Sequence, residues 1–269
     1  MRVIVTGAKG FIGKRLVEKL KQVWEVVELD QNNCWQCLDW EILEWNDIEA
    51  IFHLGAISDT TCDNPIQINE YNVKYSICLF MLAASRGIPV KYASSASVYG
   101  MTQTIMNPLN FYAQSKLMVD TWVEQNIKDF SHIQGFRFYN VYGPGEEDKV
   151  KRGQASPVST FAQQAKETGK IKLFEGSAQF LRDFIHVDDV IEVMLDNDKG
   201  SGIYDLGTSK TTSFEEVGEC VANRYNAEIE YIPFPAHLKG KYQEFTKAQD
   251  EGWKIDFIEL QDYVQNSLG

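Results

Sequence analysis

The sequence predicts an α/β chain, a doubly wound parallel sheet followed by a smaller C-terminal α/β part. Three observations carry this expectation. Short β-rich runs alternate with helical stretches through the first half. Those runs are apolar throughout rather than at every second residue, as in strands covered on both faces. A glycine-spaced turn joins the first run to the first helix.

The elements follow in order. Arg2 to Thr6 (RVIVT) is the first strand, and a glycine turn leads into a helix from Phe11 to about Val23. Trp24 to Leu29, Ala50 to Leu54 and Val90 to Ser94 read as further strands. A helical segment from roughly Asn64 to Arg86 lies before the last of these and is closed by Gly87 and Pro89. Pro108 is expected to open the next helix, where its missing N–H costs nothing, and Ile133 to Tyr139 is the next strand. After Gly143-Pro144-Gly145 the pattern loosens into charge (EEDKVKRG). A helix from about Pro157 and short strands through Lys170 to Val187 follow.

A chain of 269 residues, 44% hydrophobic and 24% charged, has the composition of an ordinary folded protein. The longest apolar run, Ile77 to Ala84, falls well short of the ~20 residues of a membrane-spanning helix. Met1-Arg2 runs straight into VIV without the parts of a signal peptide, so a cytoplasmic location is expected. The net charge of −12 repels a phosphate backbone, which argues against nucleic acid as a partner. A small anion is still admissible where a helix N-terminus or local cations receive it. Cys34 and Cys37 form a CWQC, but no second Cys/His pair follows at zinc spacing and the cysteine count is odd. Reduced loop thiols and no metal are expected.

Thr6 to Gly13 reads TGAKGFIG directly after a strand. Gly7 permits a tight turn, Gly10 lets the backbone approach a pyrophosphate, and Gly13 lets helix and strand pack closely. Asp30, at the end of the second strand, suits an adenosine ribose, and Leu38-Asp39 suits the adenine edge. No Arg or Lys lies between Asp30 and Asp39, so NAD is favoured over NADP. Further along, NFYAQSK places Tyr112 and Lys116 four residues apart on one helical face. Free tyrosine, with a pKa of about 10, is a poor base near neutrality, and a neighbouring cation favours its phenolate. Ser95 is suited to hydrogen-bond a reacting oxygen.

With the glycine triplet, HLGA (His53 to Ala56), SSASVYG (Ser94 to Gly100) and YAQSK (Tyr112 to Lys116) give the chain a resemblance to the extended short-chain dehydrogenase/reductases. GFRFYNVYGPGE (Gly135 to Glu146), KLFEGSAQFLRDFIHVDD (Lys172 to Asp189), SGIYDLGT (Ser201 to Thr208) and EYIPFPAHLKGKYQEFT (Glu230 to Thr246) narrow it to the ADP-L-glycero-D-manno-heptose 6-epimerases, over nearly the whole chain.

That resemblance implies a Rossmann-type sheet and a nucleotide-sugar epimerase that oxidises C6″ to a ketone and reduces it again from the opposite face. It implies a nucleotide-diphosphate sugar as substrate and homo-oligomeric assembly. The dinucleotide-binding part is expected at 1–145 plus about 187–208, and the substrate part at 146–186 plus 209–269. Ser95, Tyr112 and Lys116 match the catalytic positions. A second base is matched by Lys151, in KRGQAS, with Lys149 and Arg152 close enough for a local gap to move the match. Cofactor contacts are matched by Phe11, Ile12, Asp30, Gln31, Leu54, Gly55, Ala56, Ile57, Ser58, Asn72, Lys116 and Val141. Substrate contacts are matched by Asn140, Phe174, Glu175, Gly176, Ser177, Arg182 and Tyr242, with the fork of Arg182 suited to the diphosphate. NADP is the cofactor that the family resemblance favours, against the reading from Asp30.

Two alternatives stand beside this one. A UDP-hexose 4-epimerase or another NAD-dependent nucleotide-sugar enzyme shares the same frame. A 4,6-dehydratase does not, because its Asp-Glu pair is replaced by Ala96 and Ser97. A catalytically silent cofactor-binding protein would be expected to lose Tyr112 or Lys116, and both are present.

Overall fold

A computed structural model describes residues 1–38, 45–102, 105–236 and 243–268. Strand β1 (Arg2–Thr6) leads into helix α1 (Phe11–Leu20), and β2 (Glu25–Leu29) and β3 (Ile48–His53) follow. The long helical segment is α2 (Pro65–Ile68), a π-turn (Asn69–Lys74) and α3 (Tyr75–Ser85) in continuous succession. It begins where Asn64 caps it, the Asn64 side chain accepting from the Gln67 N–H at 3.1 Å. The next elements are β4 (Val90–Ser95), α4 (Phe111–Asn126) and β5 (Ile133–Phe138). Helix α4 starts three residues later than Pro108 suggests. Asn110 is extended (φ −149°) and caps the helix by accepting from the Ala113 N–H at 2.8 Å, so the asparagine sets the first turn and Pro108 stays outside it.

The chain continues through β6 (Asn140–Tyr142), α5 (Glu147–Lys151), α6 (Pro157–Thr168), β7 (Lys170–Phe174), β8 (Leu181–Arg182), β9 (Phe184–His186) and α7 (Val187–Leu195). It ends with β10 (Gly202–Leu206), β11 (Thr212–Ser213), α8 (Phe214–Tyr225), β12 (Glu228–Ile232) and α9 (Leu260–Asn266). Helix α5 occupies the charged stretch that carries no apolar periodicity.

The main sheet has six strands in the order β10-β5-β4-β3-β1-β2. Strands β1, β2, β3 and β4 are mutually parallel where they pair, with Thr6 opposite Leu29 and His53, and His53 opposite Tyr92. The C-terminal ends of these strands therefore lie level, which is where α/β sheets bind ligands.

The described chain divides into two compact units. The first comprises 1–98, 108–137 and 196–204, around a core that includes Ile4, Ile51, Leu79, Phe80, Val90 and Ile133, none with measurable exposure. Burying each such side chain contributes roughly 1.5–3 kcal/mol. The second comprises 99–107, 138–195 and 205–269, with Tyr142, Val158, Ile171, Val217 and Val264 at its centre. Residues 138–145 and 187–195, expected with the nucleotide-binding part, group with this second unit because β6 pairs with β9 and α7 follows β9 directly. Among the described residues no helix is long and apolar enough to cross a membrane.

Candidate active site

In the first unit the turn after β1 is shaped by contacts that only glycine allows. Gly7 has φ +68°, and a Cβ placed on it would lie 2.8 Å from the Gly55 backbone at the end of β3. A Cβ on Gly13 would lie 2.0 Å from the Gly7 carbonyl oxygen, so α1 packs against the turn with no room for a methyl group. Gly10 caps α1 in extended conformation without a side-chain hydrogen bond, and a Cβ there would meet only the turn's own Gly7 carbonyl, at 3.1 Å. The surface over the first turn of α1 is left to backbone, as a diphosphate requires. Phe11 and Ile12 open the helix. Asp30 is half-buried at the end of β2, where its carboxylate accepts from the Lys9 N–H at 3.0 Å. That bond holds the acid over the glycine turn. Gln31 beside it is exposed, and Asp39 lies outside the described residues.

The loop after β3, Leu54 to Ser58, is fixed from two sides. The Gly55 N–H donates to Thr6 Oγ1 (3.0 Å), Thr6 Oγ1 pairs with His53 Nδ1 (2.7 Å), His53 Nε2 pairs with Ser76 Oγ (2.8 Å), and Ser76 donates to the Asn72 carbonyl (2.7 Å). Since the Ser76 proton goes to that carbonyl, Ser76 accepts from Nε2–H and the Thr6 hydroxyl donates to Nδ1. The chain is satisfied by a neutral imidazole, and burial drives His53 down to about 3. On the other side the Ile57 N–H donates to Asn72 Oδ1 (2.8 Å), while Asn72 Nδ2 donates to the Ile57 carbonyl and to Ser115 Oγ, both at 3.0 Å. Asn72 sits in the π-turn and braces this loop against α4.

Ser95, Tyr112 and Lys116 come together at the end of β4. Lys116, 6% exposed, donates to the Ala93 carbonyl at 2.7 Å, and its ammonium stands 5.9 Å over the Tyr112 ring. Burial lowers it to about 8, against the pull of Asp120. Tyr112 is raised by burial, and a hydrogen bond with Ser95 opposes that rise. Ser95 Oγ accepts from the Ser97 N–H (3.2 Å) and hydroxyl (2.9 Å), which leaves its own proton to donate.

Sequence reasoning missed Asp120, four residues beyond Lys116 on the same helical face. It is wholly buried and accepts from Arg137 Nε (2.9 Å), Ser94 Oγ (2.9 Å) and the Tyr92 hydroxyl (3.0 Å). The i+4 repeat from Tyr112 through Lys116 was the available signal.

In the second unit Asn140 and Val141 are half-buried on β6. Arg182 is 4% exposed, its guanidinium 5.6 Å over the Phe214 ring. Arg182-Asp183 is no surface ion pair. Asp183 is fully buried and accepts from the N–H groups of Thr208, Ser209 and Ala248 and from the Thr208 hydroxyl. Phe174 to Ser177 form the turn after β7, with Gly176 at φ +83°. Lys151 on α5 is 78% exposed and 3.9 Å from Asp148, whereas Lys149 is half-buried. Tyr242 lies outside the described residues. Among the described residues no three His, Cys, Asp or Glu side chains gather as metal ligands. Cys34, Cys62, Cys78 and Cys220 carry no disulfide. Cys34 opens a 3₁₀ turn (Cys34–Leu38) rather than a loop, and the Cys37 side chain lies outside the described part.

A glycine cradle at a helix N-terminus and a Ser-Tyr-Lys cluster at the C-terminal end of β4 define a nicotinamide-dependent enzyme class. Residues 3–207 match the model of the NAD dependent epimerase/dehydratase family, and the chain belongs to that family as an epimerase-class enzyme. The ADP-L-glycero-D-manno-heptose-6-epimerase of Alkalilimnicola ehrlichii is 36% identical over 309 residues, 99% of this chain and 96% of that protein. The crystal structure of the Helicobacter pylori ADP-L-glycero-D-manno-heptose-6-epimerase matches with TM-score 0.75 and 28% identity, covering 87% of this chain and 84% of that one. UDP-glucose 4-epimerase of Thermotoga maritima matches with TM-score 0.82 over 98% of this chain and 96% of that one, but at 20% identity, a likeness of fold alone.

Proposed function

We propose that this chain interconverts ADP-D-glycero- and ADP-L-glycero-D-manno-heptose at C6″, through a transient ketone reduced again from its opposite face. The observation that carries the reading is the Ser95-Tyr112-Lys116 cluster beside the glycine cradle, in a chain 36% identical over nearly its whole length to an enzyme named for that sugar.

Gly7, Gly10, Gly13 and the first turn of α1 would hold the dinucleotide's diphosphate, the braced loop Leu54 to Ser58 would line it, and Asp30 would accept from the adenosine ribose. The bound dinucleotide supplies reversible hydride storage, so no outside redox partner is consumed. NAD is the proposed form, because a 2′-phosphate beside the Asp30 carboxylate sets two anions against each other. Tyr112 takes the hydroxyl proton on one face of the sugar carbon. Burial raises its phenol and Asp120 adds to that rise, the Ser95 hydroxyl pulls it back toward a working base, and the Lys116 ammonium stands 5.9 Å over the ring. Ser95 donates to the reacting oxygen. Arg182 serves the sugar diphosphate by its paired N–H groups, with Asn140, Phe174 to Ser177 and Tyr242 around the sugar.

The protein is further proposed to be cytoplasmic and homo-oligomeric. Helices α3 and α4 pack together and leave Met81 58% and Met118 52% exposed, an apolar face suited to a second copy.

Incubation with ADP-D-glycero-D-manno-heptose, followed by NMR of the C6″ configuration, tests the activity. Inversion is expected in the wild type, and Tyr112→Phe should slow it by about 10²–10⁴-fold with NAD binding retained. An unchanged heptose together with turnover of UDP-glucose would overturn the reading.

A further inference from the structure

We propose that Asp120 is the positioning residue of the Tyr112-Lys116 pair, fixing the strand that receives Lys116 and keeping its ammonium charged beside the phenol. This rests on the epimerase reading above and adds a residue to its machinery.

Tyr112, Lys116 and Asp120 recur at every fourth position of α4, so they share one face of it. Lys116 is held by the Ala93 carbonyl on β4 at 2.7 Å. The residues on either side of Ala93 are both held by Asp120, which accepts from the Tyr92 hydroxyl on one carboxylate oxygen (3.0 Å) and from the Ser94 hydroxyl on the other (2.9 Å). That second oxygen also accepts from Arg137 Nε, on the neighbouring strand β5, at 2.9 Å. One carboxylate thus sets the stretch of β4 that receives the lysine and leads into Ser95.

Packing alone does not call for this arrangement. Asp120, Arg137, Tyr92 and Ser94 are all buried, and a buried ion pair gives little stability that an apolar pair of similar volume would not. What the acid supplies is a negative charge one helical turn from a buried lysine. Burial lowers the Lys116 ammonium and Asp120 holds it up. Burial in turn raises the Asp120 carboxyl, and Arg137, Ser94 and Tyr92 draw it back, three donors that suit a carboxylate. The other titratable groups nearby do not replace it. His53 faces Lys116 from β3 as a neutral ring, and Glu70 and Lys74 on the π-turn pair with each other in solvent.

Tyr112 and Lys116 titrate as a coupled pair, so the acid and alkaline limbs of the rate belong to both. The negative charge of Asp120 raises each of them. Its removal therefore lowers both, and the two limbs move to lower pH together. A residue that only packs would change the rate and leave the limbs in place.

The test compares wild type with Asp120→Asn and Asp120→Glu, each saturated with NAD. In Asp120→Asn both limbs of C6″ inversion, followed by NMR over a pH series, should move down by about one pH unit. Asp120→Glu keeps the charge and should keep both limbs. The double variant Asp120→Asn/Arg137→Gln leaves no uncompensated cation. It stands in if the single variant folds poorly, and should move the limbs the same way. A second readout needs no sugar. In protein isotope-labelled in lysine alone, the Lys116 side-chain NMR signal, identified by its loss in Lys116→Met, should titrate about one pH unit lower in Asp120→Asn than in wild type. Unmoved limbs, an unmoved Lys116 titration, or an Asp120→Glu enzyme shifted as far as Asp120→Asn would overturn the assignment. Failure of the wild type to invert the heptose strikes the substrate reading, whereas the lysine titration tests Asp120 with no sugar present.

Discussion

His53 shows how a single buried side chain reports on the site without touching a ligand. Folded, it stays neutral until about pH 3, whereas an unfolded histidine takes its proton near 6.5. Between those values the unfolded chain binds the extra proton. The contribution to stability is therefore whole above about pH 6.5 and is lost as pH falls toward 3, on the order of 5 kcal/mol at most. Asp189 works in the opposite sense, since burial raises it to about 6 and the folded state then binds the extra proton below that pH. Urea unfolding at a series of pH values should accordingly give His53→Gln a shallower acid slope than wild type, and parallel slopes would rule the neutral-histidine chain out. At this scale the sequence was legible where chemistry fixes the spacing. Tyr112 and Lys116 stand together because i and i+4 share a face. It was not legible for the Asp120–Arg137 pair, whose partners come from a helix and a strand.

Among the elements, β1 and α1 were readable because their junction tolerates few residues. Gly13→Ala places its methyl group 2.0 Å from the Gly7 carbonyl, so either helix or turn must shift. The expected cost exceeds about 3 kcal/mol, with NAD binding lost. Gly87→Ala is the contrast, since its Cβ would meet nothing within 4 Å and only the positive φ of +65° is penalised, by about 1–2 kcal/mol. Chemical denaturation of the two variants, with NAD titration of each, separates close packing from backbone strain, and equal losses would remove the packing argument. The π-turn at Asn69–Lys74 was hidden for the opposite reason, because a single widened turn leaves the apolar pattern of a helix nearly unchanged. Helix α5 was hidden because a stretch of five residues, four of them charged, carries no periodicity. The start of α4 was misjudged because Pro108 and Asn110 are both helix-opening signals, and the side-chain cap of Asn110 decides between them.

For the molecule as a whole, the net charge of −12 sets a field against both anionic ligands. Their association should speed up as ionic strength rises from about 0.01 to 0.15 M, because the Debye length shrinks from roughly 30 to 8 Å. Stopped-flow measurement of NAD binding checks this, and a rate that falls with salt would show that local cations dominate. The sheet order has a consequence for how the protein is made. Strand β10 is an edge strand beside β5, yet it is encoded only after residues 138–195, all of which belong to the second unit. A nascent chain that has released β5 must wait for that whole insertion before the neighbour of β5 emerges from the ribosome. During the interval every residue of β5, buried in the finished protein, lacks its outer partner. An open strand edge of that kind invites pairing with other chains. The vulnerable moment in the life of this enzyme falls during translation, between residues 138 and 206, before any catalytic group has been put to use.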